Sequence, residues 1–472
     1  MTQTHMTADV DSAAPRSRRR SAARTTQFII AGLGVFALVM TGLYAVVSWP
    51  RSPESGPVAD LPARGMPWMP FDEQSPDDML WLGVNDAMRN KDRDALLSFA
   101  SGEAVDQLAR WWDNTTAIGW DTAVMTPSWV DPEDDTKAYV VLGAQFGFAA
   151  KPLRGSGNRD SDLQLVQGLT YIVTLSPLPE EQRSIDKYYN DDGTLKEQEP
   201  VAARKITSLT PAYHPNPWDE GDLHVAKRDH VVLFGMADEA ALVDATADEA
   251  ERSAVTAIET VRSMGGEVPQ EGFVSAITDD PDRVTRWQFG SSSPWDLDVA
   301  GFARPTLRPP SAEPWLDARI ATGDATSGTI VVMGPLSADQ RPETFVHEFA
   351  HALHNTGAPS SVDRPPRAVM EGFARYTEWQ AGLSEPWYTD PEVRAAVAER
   401  GADAFDDESL TSANGSIAYE AAGSYYVFAA EKGYSPWEMA LDAKRGFAGL
   451  VGYSELHDDI SIPAWQQWLA AQ

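Results

Sequence analysis

The sequence contains no cysteine. Without a thiol, the chain cannot form disulfide bonds, use a cysteine nucleophile, or bind zinc or an iron–sulfur cluster through sulfur. Any metal must therefore be held by histidine, aspartate or glutamate side chains. The Gly-x-Ser-x-Gly pattern is also missing, which excludes the serine hydrolases that use it.

Positive charge is scarce except at the N-terminus. The chain has 38 Lys and Arg against 70 Asp and Glu, a formal net charge of −32. Residues 1–27 carry five arginines and two aspartates, so the remainder carries −35. A surface of this sign keeps a protein soluble and repels phosphate backbones, which argues against a nucleic-acid partner.

One uncharged apolar run, residues 28–49, is 22 residues long. A bilayer core needs about 20 helical residues, so this run predicts a transmembrane helix. The basic residues 1–27 before it predict a cytoplasmic tail, with the rest of the chain outside the cell. A cleaved signal peptide is the alternative, but its apolar core is shorter, and no clear small-x-small cleavage site follows the run.

The rest of the chain predicts a linker and two folded domains of mixed α+β class. Residues 50–76 hold seven prolines, typical of a stiff extended spacer. In residues 77–235, apolar residues recur first at helical spacing and then in strand-like runs. This order, together with the sequence WWDN at 111–114, resembles the cone-shaped nuclear transport factor 2-like domains.

Residues 236–472 form the second predicted domain. Thr246 and Glu249 are spaced as a capping box, which predicts a helix from there to Met264. Two strands are expected at 273–278 and 329–333, and the pattern from Pro342 onward is almost wholly helical.

The sequence HEFAH stands at 347–351 within one predicted helix. Residues four apart project from the same side of a helix, so His347 and His351 can converge on one metal ion. Glu348 is rotated by about 100° from His347 and can reach water at that metal. The alternative is an ordinary helix with two packed or solvated histidines.

A catalytic zinc usually has three protein ligands and one open position. The metzincin pattern is excluded, because Gly357 and His354 stand where it needs histidine and glycine. Glu371 follows His351 by 20 residues and begins the sequence EGFARY, in a predicted helix that ends near Gly382.

HEFAH and EGFARY together resemble the gluzincins, the HExxH-plus-glutamate zinc peptidases typified by thermolysin and the aminopeptidase-N-like enzymes. The resemblance covers about residues 236–472 and implies a mainly helical, zincin-like domain with a small edge sheet. It implies that Zn²⁺ is held by His347, His351 and Glu371, with Glu348 as the general base.

A later segment, AYEAAGSY at 418–425, resembles the place where many gluzincins have a tyrosine that stabilises the oxyanion. The resemblance implies this role for Tyr419. Tyr425 and Tyr426 lie close by and remain alternatives.

Two positions depart from the family pattern. Arg375 stands where relatives often have an acidic residue, so the carboxylate that supports a metal ligand is expected elsewhere, at Glu378. The strand at 328–334 lacks the acidic amine-binding signature of aminopeptidase-N, which argues against exopeptidase activity. We expect this strand to bind an extended peptide by edge pairing. His354 shares the face of His347 and is interpreted as a packed histidine or a partner of the site.

The sequence therefore predicts a membrane-anchored zinc metallopeptidase that hydrolyses peptide or protein substrates outside the cell, with Glu348 activating zinc-bound water. The composition is typical of a bacterial protein. The alternative is a cell-surface binding or regulatory protein whose zinc site is structural or inactive.

Overall fold

The computed structural model describes residues 76–130, 134, 136–150, 153, 163–177, 204–212, 214–290, 300–306, 328–358, 367–405, 415–445 and 449–472. The predicted transmembrane helix at 28–49 and nearly all of the predicted linker lie outside these residues. Within them, no helix is both long enough and apolar enough to cross a bilayer. The described part is a mixed α+β structure.

The N-terminal part contains three helices followed by a four-stranded antiparallel sheet. The helices are α1 (Pro76–Arg89), α2 (Arg93–Ser98) and α3 (Glu103–Ile118). The strands are β1 (Trp120–Val130), β2 (Lys137–Ala150), β3 (Leu163–Leu175) and β4 (Ile206–Pro211), paired in that order. Alternate residues of β2 point into the core, as the two-residue period of a strand requires: Ala138, Val140, Leu142 and Ala144.

A second sheet has five strands in the order β5-β6-β7-β9-β8. They are β5 (Leu223–Lys227), β6 (Val231–Met236), β7 (Phe273–Ile277), β8 (Gly301–Thr306) and β9 (Gly328–Met333), and the short helix α4 (Pro217–Glu220) precedes them. The three central strands are parallel, and β5 and β8 are antiparallel edge strands. This sheet begins before residue 236, the predicted start of the second domain.

Both faces of the second sheet are buried, which explains the nearly continuous apolar runs of its central strands. One face joins the core that contains the C-terminal helices, through Val231, Leu233, Phe273, Ile277, Val331 and Met333. The other face joins the core of the N-terminal helices and first sheet, through Val232, Phe234, Val274, Ala276, Phe302 and Val332. The sheet therefore connects the two hydrophobic cores.

Most of the remaining helices pack around the first of these faces, whereas the helix Pro281–Phe289 contributes Val284 and Trp287 to the core on the other face. The remaining helices are α5 (Ala240–Ser263), α6 (Pro281–Phe289), α7 (Arg341–Gly357), α8 (Arg367–Gln380), α9 (Pro391–Arg400), α10 (Gly415–Glu431), α11 (Pro436–Arg445), α12 (Gly449–Glu455) and α13 (Ile462–Ala470). The predicted helices at the HEFAH and EGFARY sequences are confirmed as α7 and α8.

Two sequence predictions about local structure are wrong. Thr246 does not start a helix, because α5 begins at Ala240 and Thr246 is buried inside it; the alanine- and leucine-rich residues before it favour the helix. The strand before α7 is not an edge strand, because β9 lies between β7 and β8. The edge strand next to α7 is β8, which the sequence pattern did not reveal.

Helices α8 and α10 approach closely at Gly372. A β-carbon there would lie 2.9 Å from the carbonyl carbon of Ala422 and 3.0 Å from its Cβ. Because backbone atoms cannot move aside easily, Gly372→Ala is expected to lower the free energy of unfolding by about 1–3 kcal/mol, measured by urea denaturation. Ala395→Leu, on the exposed side of α9, is the control and should change it by less than about 0.5 kcal/mol. Equal effects of the two variants would contradict the close approach.

Candidate metal centre

Helix α7 presents one apolar face to the sheet and its polar face to α8. Phe349 stacks on Phe273 of β7 with ring centroids 4.1 Å apart, and Phe345 stacks on Phe349 at 5.5 Å. These contacts fix the rotation of α7 about its axis. His347 and His351 therefore face away from the sheet, Glu348 lies beside its edge strand β8, and all three side chains are buried.

The structure brings together three of the predicted side chains, the two histidines of α7 and Glu371 of α8. The Nε2 atoms of His347 and His351 lie 3.0 Å apart. The Oε2 atom of Glu371 lies 3.3 Å from each of these nitrogens. Among the described residues, these three form the group of His, Asp or Glu side chains able to hold a metal ion.

These distances fit a tetrahedral zinc site. Zinc bonds to histidine nitrogen and carboxylate oxygen are about 2.0–2.1 Å long, so ligand atoms of a tetrahedral site lie about 3.3 Å apart. Two nitrogens and one oxygen also form a common donor set for catalytic zinc. Although burial opposes its ionisation most strongly, the nearby imidazoles of His351 and His347 hold the pKa of Glu371 at about 2. The three residues present therefore suit zinc.

Glu378 orients the first histidine, as the sequence suggested. The Nδ1 of His347 donates a hydrogen bond to Oε1 of Glu378, which leaves Nε2 to face the metal position. Arg375 donates to the other oxygen, Oε2, of Glu378. Burial is the largest influence on Glu378 and raises its pKa, but Arg375 and then His347 outweigh it and hold the pKa below its usual value.

Glu348 lies beside the convergent ligands without being one of them. Its Oε2 is buried and has no hydrogen-bond partner in the described part of the chain. Burial raises the pKa of Glu348, and the nearby imidazoles of His347 and His351 offset part of this rise. A buried carboxylate of raised pKa next to a metal position has the properties of a general base.

The edge strand β8 passes close to Glu348. A β-carbon on Gly301 would lie 3.3 Å from Cγ of Glu348 and 3.2 Å from Cγ2 of Thr344. Glycine at this position therefore allows the backbone of β8 to lie against the polar face of α7. Residues 301–306 carry no strand pattern in the sequence, because Gly, Arg and Pro interrupt the apolar residues.

The three candidate tyrosines differ in their hydrogen bonds. The hydroxyl of Tyr425 donates to the carbonyl of Ile460 at 2.8 Å, and that of Tyr426 to the carbonyl of Val369 at 3.0 Å. The Tyr419 hydroxyl is buried and bonds to none of the described residues. Burial, followed by the negative charge of Glu371, raises the pKa of Tyr419 well above its usual value, so it remains protonated. Of the three, Tyr419 has the free donor.

The other described histidines make structural contacts. Nε2 of His354 lies 3.0 Å from the carbonyl oxygen of Ala440, consistent with a packed histidine. His224 pairs with Asp244 and His230 with Glu251, along the side of α5. His214 contacts the guanidinium of Arg304.

Two carboxylates near the site were missed by sequence reasoning. Oε1 of Glu343 lies 3.2 Å from Nη1 of Arg375, and Oε1 of Glu420 lies 3.9 Å from its Nη2. The spacing held a signal for Glu343, which precedes His347 by one helical turn and shares its face. Glu420 comes from α10, and no local pattern connects it to Arg375.

Comparison with known proteins does not show a family. No family model matches the sequence, and no curated protein matches it. One similar solved structure is an M1 zinc metallopeptidase from Deinococcus radiodurans, with 13% identity, a TM-score of 0.30, and coverage of 71% of this chain and 88% of that chain. A TM-score of this size is too low to support an argument about function, which must come from the site itself.

Proposed function

We propose that this chain is a zinc-dependent metallopeptidase with a gluzincin-like catalytic domain in residues 236–472. The observation that carries the proposal is the convergence of the His347 and His351 Nε2 atoms and Glu371 Oε2, within 3.0–3.3 Å of one another, beside the buried Glu348. A structural zinc site would not require a buried carboxylate without a hydrogen bond at its side.

In the proposed reaction, each role falls to one residue. Bound zinc would supply Lewis-acid chemistry, polarising the peptide carbonyl and lowering the pKa of a water molecule. Glu348 removes the proton from the attacking water and delivers it to the leaving amine. Tyr419 donates a hydrogen bond to the oxygen on which negative charge develops.

Strand β8 is the proposed binding edge for an extended peptide. Gly334 donates its N–H to the carbonyl of Ala300, which fixes the hydrogen-bonding phase of the β8–β9 pair. In antiparallel pairs this phase alternates, so the backbone N–H and C=O groups of Gly301 and Ala303 point away from β9. A peptide paired to these groups would pass next to Glu348, which supports a peptide or protein as the substrate.

Two further parts of the proposal concern the membrane anchor and the N-terminal domain. The uncharged run at 28–49, after five arginines, supports a single-pass anchor with a cytoplasmic N-terminus and an extracytoplasmic catalytic domain. The three helices and four-stranded antiparallel sheet up to Pro211 support a nuclear transport factor 2-like domain, whose predicted end at 235 falls inside the second sheet.

Digestion of a mixed peptide library tests the proposal. The full-length chain, purified in mild detergent and loaded with zinc, is expected to produce new peptide termini that mass spectrometry identifies. Zinc binding without any cleavage would favour the cell-surface binding protein with an inactive site.

The role of Tyr419 gives a separate prediction. Tyr419→Phe removes one donor to the oxyanion and is expected to lower kcat by about 10²-fold, with little change in zinc content. Steady-state kinetics on a peptide substrate measures this effect. Tyr426→Phe is the matched control, because its hydroxyl bonds to the backbone of α8; a larger loss of kcat there than at Tyr419 would rule out the assignment.

A further inference from the structure

Arg375 lies behind the metal centre, on the side away from the convergent nitrogens. It follows Glu371 by four residues on α8 and is buried, with 7% of its surface exposed. Its Nη1 donates to Oε2 of Glu378, the carboxylate whose other oxygen accepts from His347. The guanidinium is therefore one hydrogen bond further from the metal position than Glu378.

The same guanidinium lies near three carboxylates from three helices: Glu378 on its own helix α8, Glu343 on α7 and Glu420 on α10. Nη1 lies 3.2 Å from Oε1 of Glu343 on α7, and Nη2 lies 3.9 Å from Oε1 of Glu420 on α10. All three carboxylate side chains are buried or partly buried. These helices carry His347, Glu371 and Tyr419, so one guanidinium lies next to all three helices that contribute to the site.

The charges explain why a cation is needed at this point. Burial and the negative charge of Glu378 raise the pKa of Glu343, whereas the guanidinium of Arg375 lowers it, and burial weakens the screening of all these charges. Without the guanidinium, Oε2 of Glu378 would lose its hydrogen-bond donor, and the carboxylate could rotate. Rotation would disturb the hydrogen bond between Oε1 of Glu378 and His347.

We propose that Arg375 is a positioning residue of the metal centre: it holds the Glu378 carboxylate against Nδ1 of His347, so that metal affinity depends on Arg375 through Glu378. This inference rests on the proposed zinc site and deepens it. It also gives a role to the arginine that departs from the gluzincin pattern. An arginine that only stabilised the fold would affect unfolding but not the zinc affinity of the folded protein.

Zinc affinity in a double-mutant cycle tests the inference. The dissociation constant is measured by competition with a chromophoric chelator, on the full-length chain, for wild type, Arg375→Met, Glu378→Gln and the double variant. Circular dichroism establishes that each is folded. Each single variant is expected to weaken zinc binding by about 10- to 100-fold. The double variant should bind zinc as tightly as the single variant with the lower zinc affinity, because both changes interrupt the same chain of contacts.

Arg204→Met is the matched control. Arg204 is also buried and paired with a carboxylate, Asp77, at 3.0 Å, but it lies in the N-terminal part of the fold. This variant should lose stability and keep wild-type zinc affinity. If Arg375→Met does not fold, Arg375→Lys replaces it, and it should weaken zinc binding only when Glu378 is present.

Failure of the proposed function and failure of this inference would give different results. A wild-type chain that binds no zinc would overturn both the proposed function and this inference. Zinc binding by wild type with unchanged affinity in the folded Arg375 variant would overturn the inference alone. Multiplying losses in the double variant would also overturn it, because they would show that Arg375 does not act through Glu378.

Discussion

Replacing Glu348 with glutamine is expected to reduce peptide hydrolysis by roughly 10³-fold while leaving zinc bound. The amide keeps the size of the side chain but cannot accept a proton from water. Because Glu348 is not one of the three residues whose side chains converge to hold a metal ion, its replacement should not remove a metal ligand. The variant is measured by kcat on a peptide substrate and by the ratio of zinc to protein.

Glu259→Gln provides the control for this prediction. Glu259 lies on the exposed side of α5, so its replacement should leave kcat and zinc content unchanged. If Glu348→Gln hydrolyses peptides at the wild-type rate, another group must be the base and the proposed mechanism is wrong.

Removing zinc is expected to lower the melting temperature by about 10 °C. A ligand present at about 1,000 times its dissociation constant stabilises the folded state by about 4 kcal/mol, and each kcal/mol corresponds to about 2–4 °C for a domain of this size. Without the metal, the buried Glu371 and the two imidazoles lose a shared partner. Differential scanning calorimetry of the zinc-loaded protein, with and without a chelator, measures the difference.

Two histidine variants identify the source of this stabilisation. His351→Ala should melt at the same temperature with and without chelator, because the site has lost a ligand. His354→Gln changes a buried histidine on the same helix and is expected to be less stable yet to keep the response to chelator. A lost response in His354→Gln alone would place the metal elsewhere on α7.

The sequence predicted the part of the site that lies within single helices. His347, Glu348 and His351 follow from the 3.6-residue period, which fixes their relative directions without reference to the rest of the fold. Glu371 came from a resemblance, and the structure brings it to the position between the two imidazoles because α8 packs on α7. Glu378 follows Glu371 by two helical turns, so it lies on the same face.

The order of strands in the second sheet could not be predicted. Residues 301–306 precede β9 in the chain yet lie outside it in the sheet, and a glycine, an arginine and a proline hide the strand pattern. The pairing of Arg375 with Glu343 and Glu420 was also beyond prediction: spacing places Glu343 on the face of His347, but both carboxylates come from helices other than that of Arg375. Such contacts depend on how helices pack, which local spacing does not encode.

The most direct test of the central claim is zinc content and peptide cleavage measured on one preparation of the full-length chain, before chelation, after it and after zinc is restored. The account predicts one zinc per chain, loss of both zinc and cleavage with chelator, and return of both when zinc is added. Cleavage that persists without zinc, or a chain that binds no zinc at all, would contradict it.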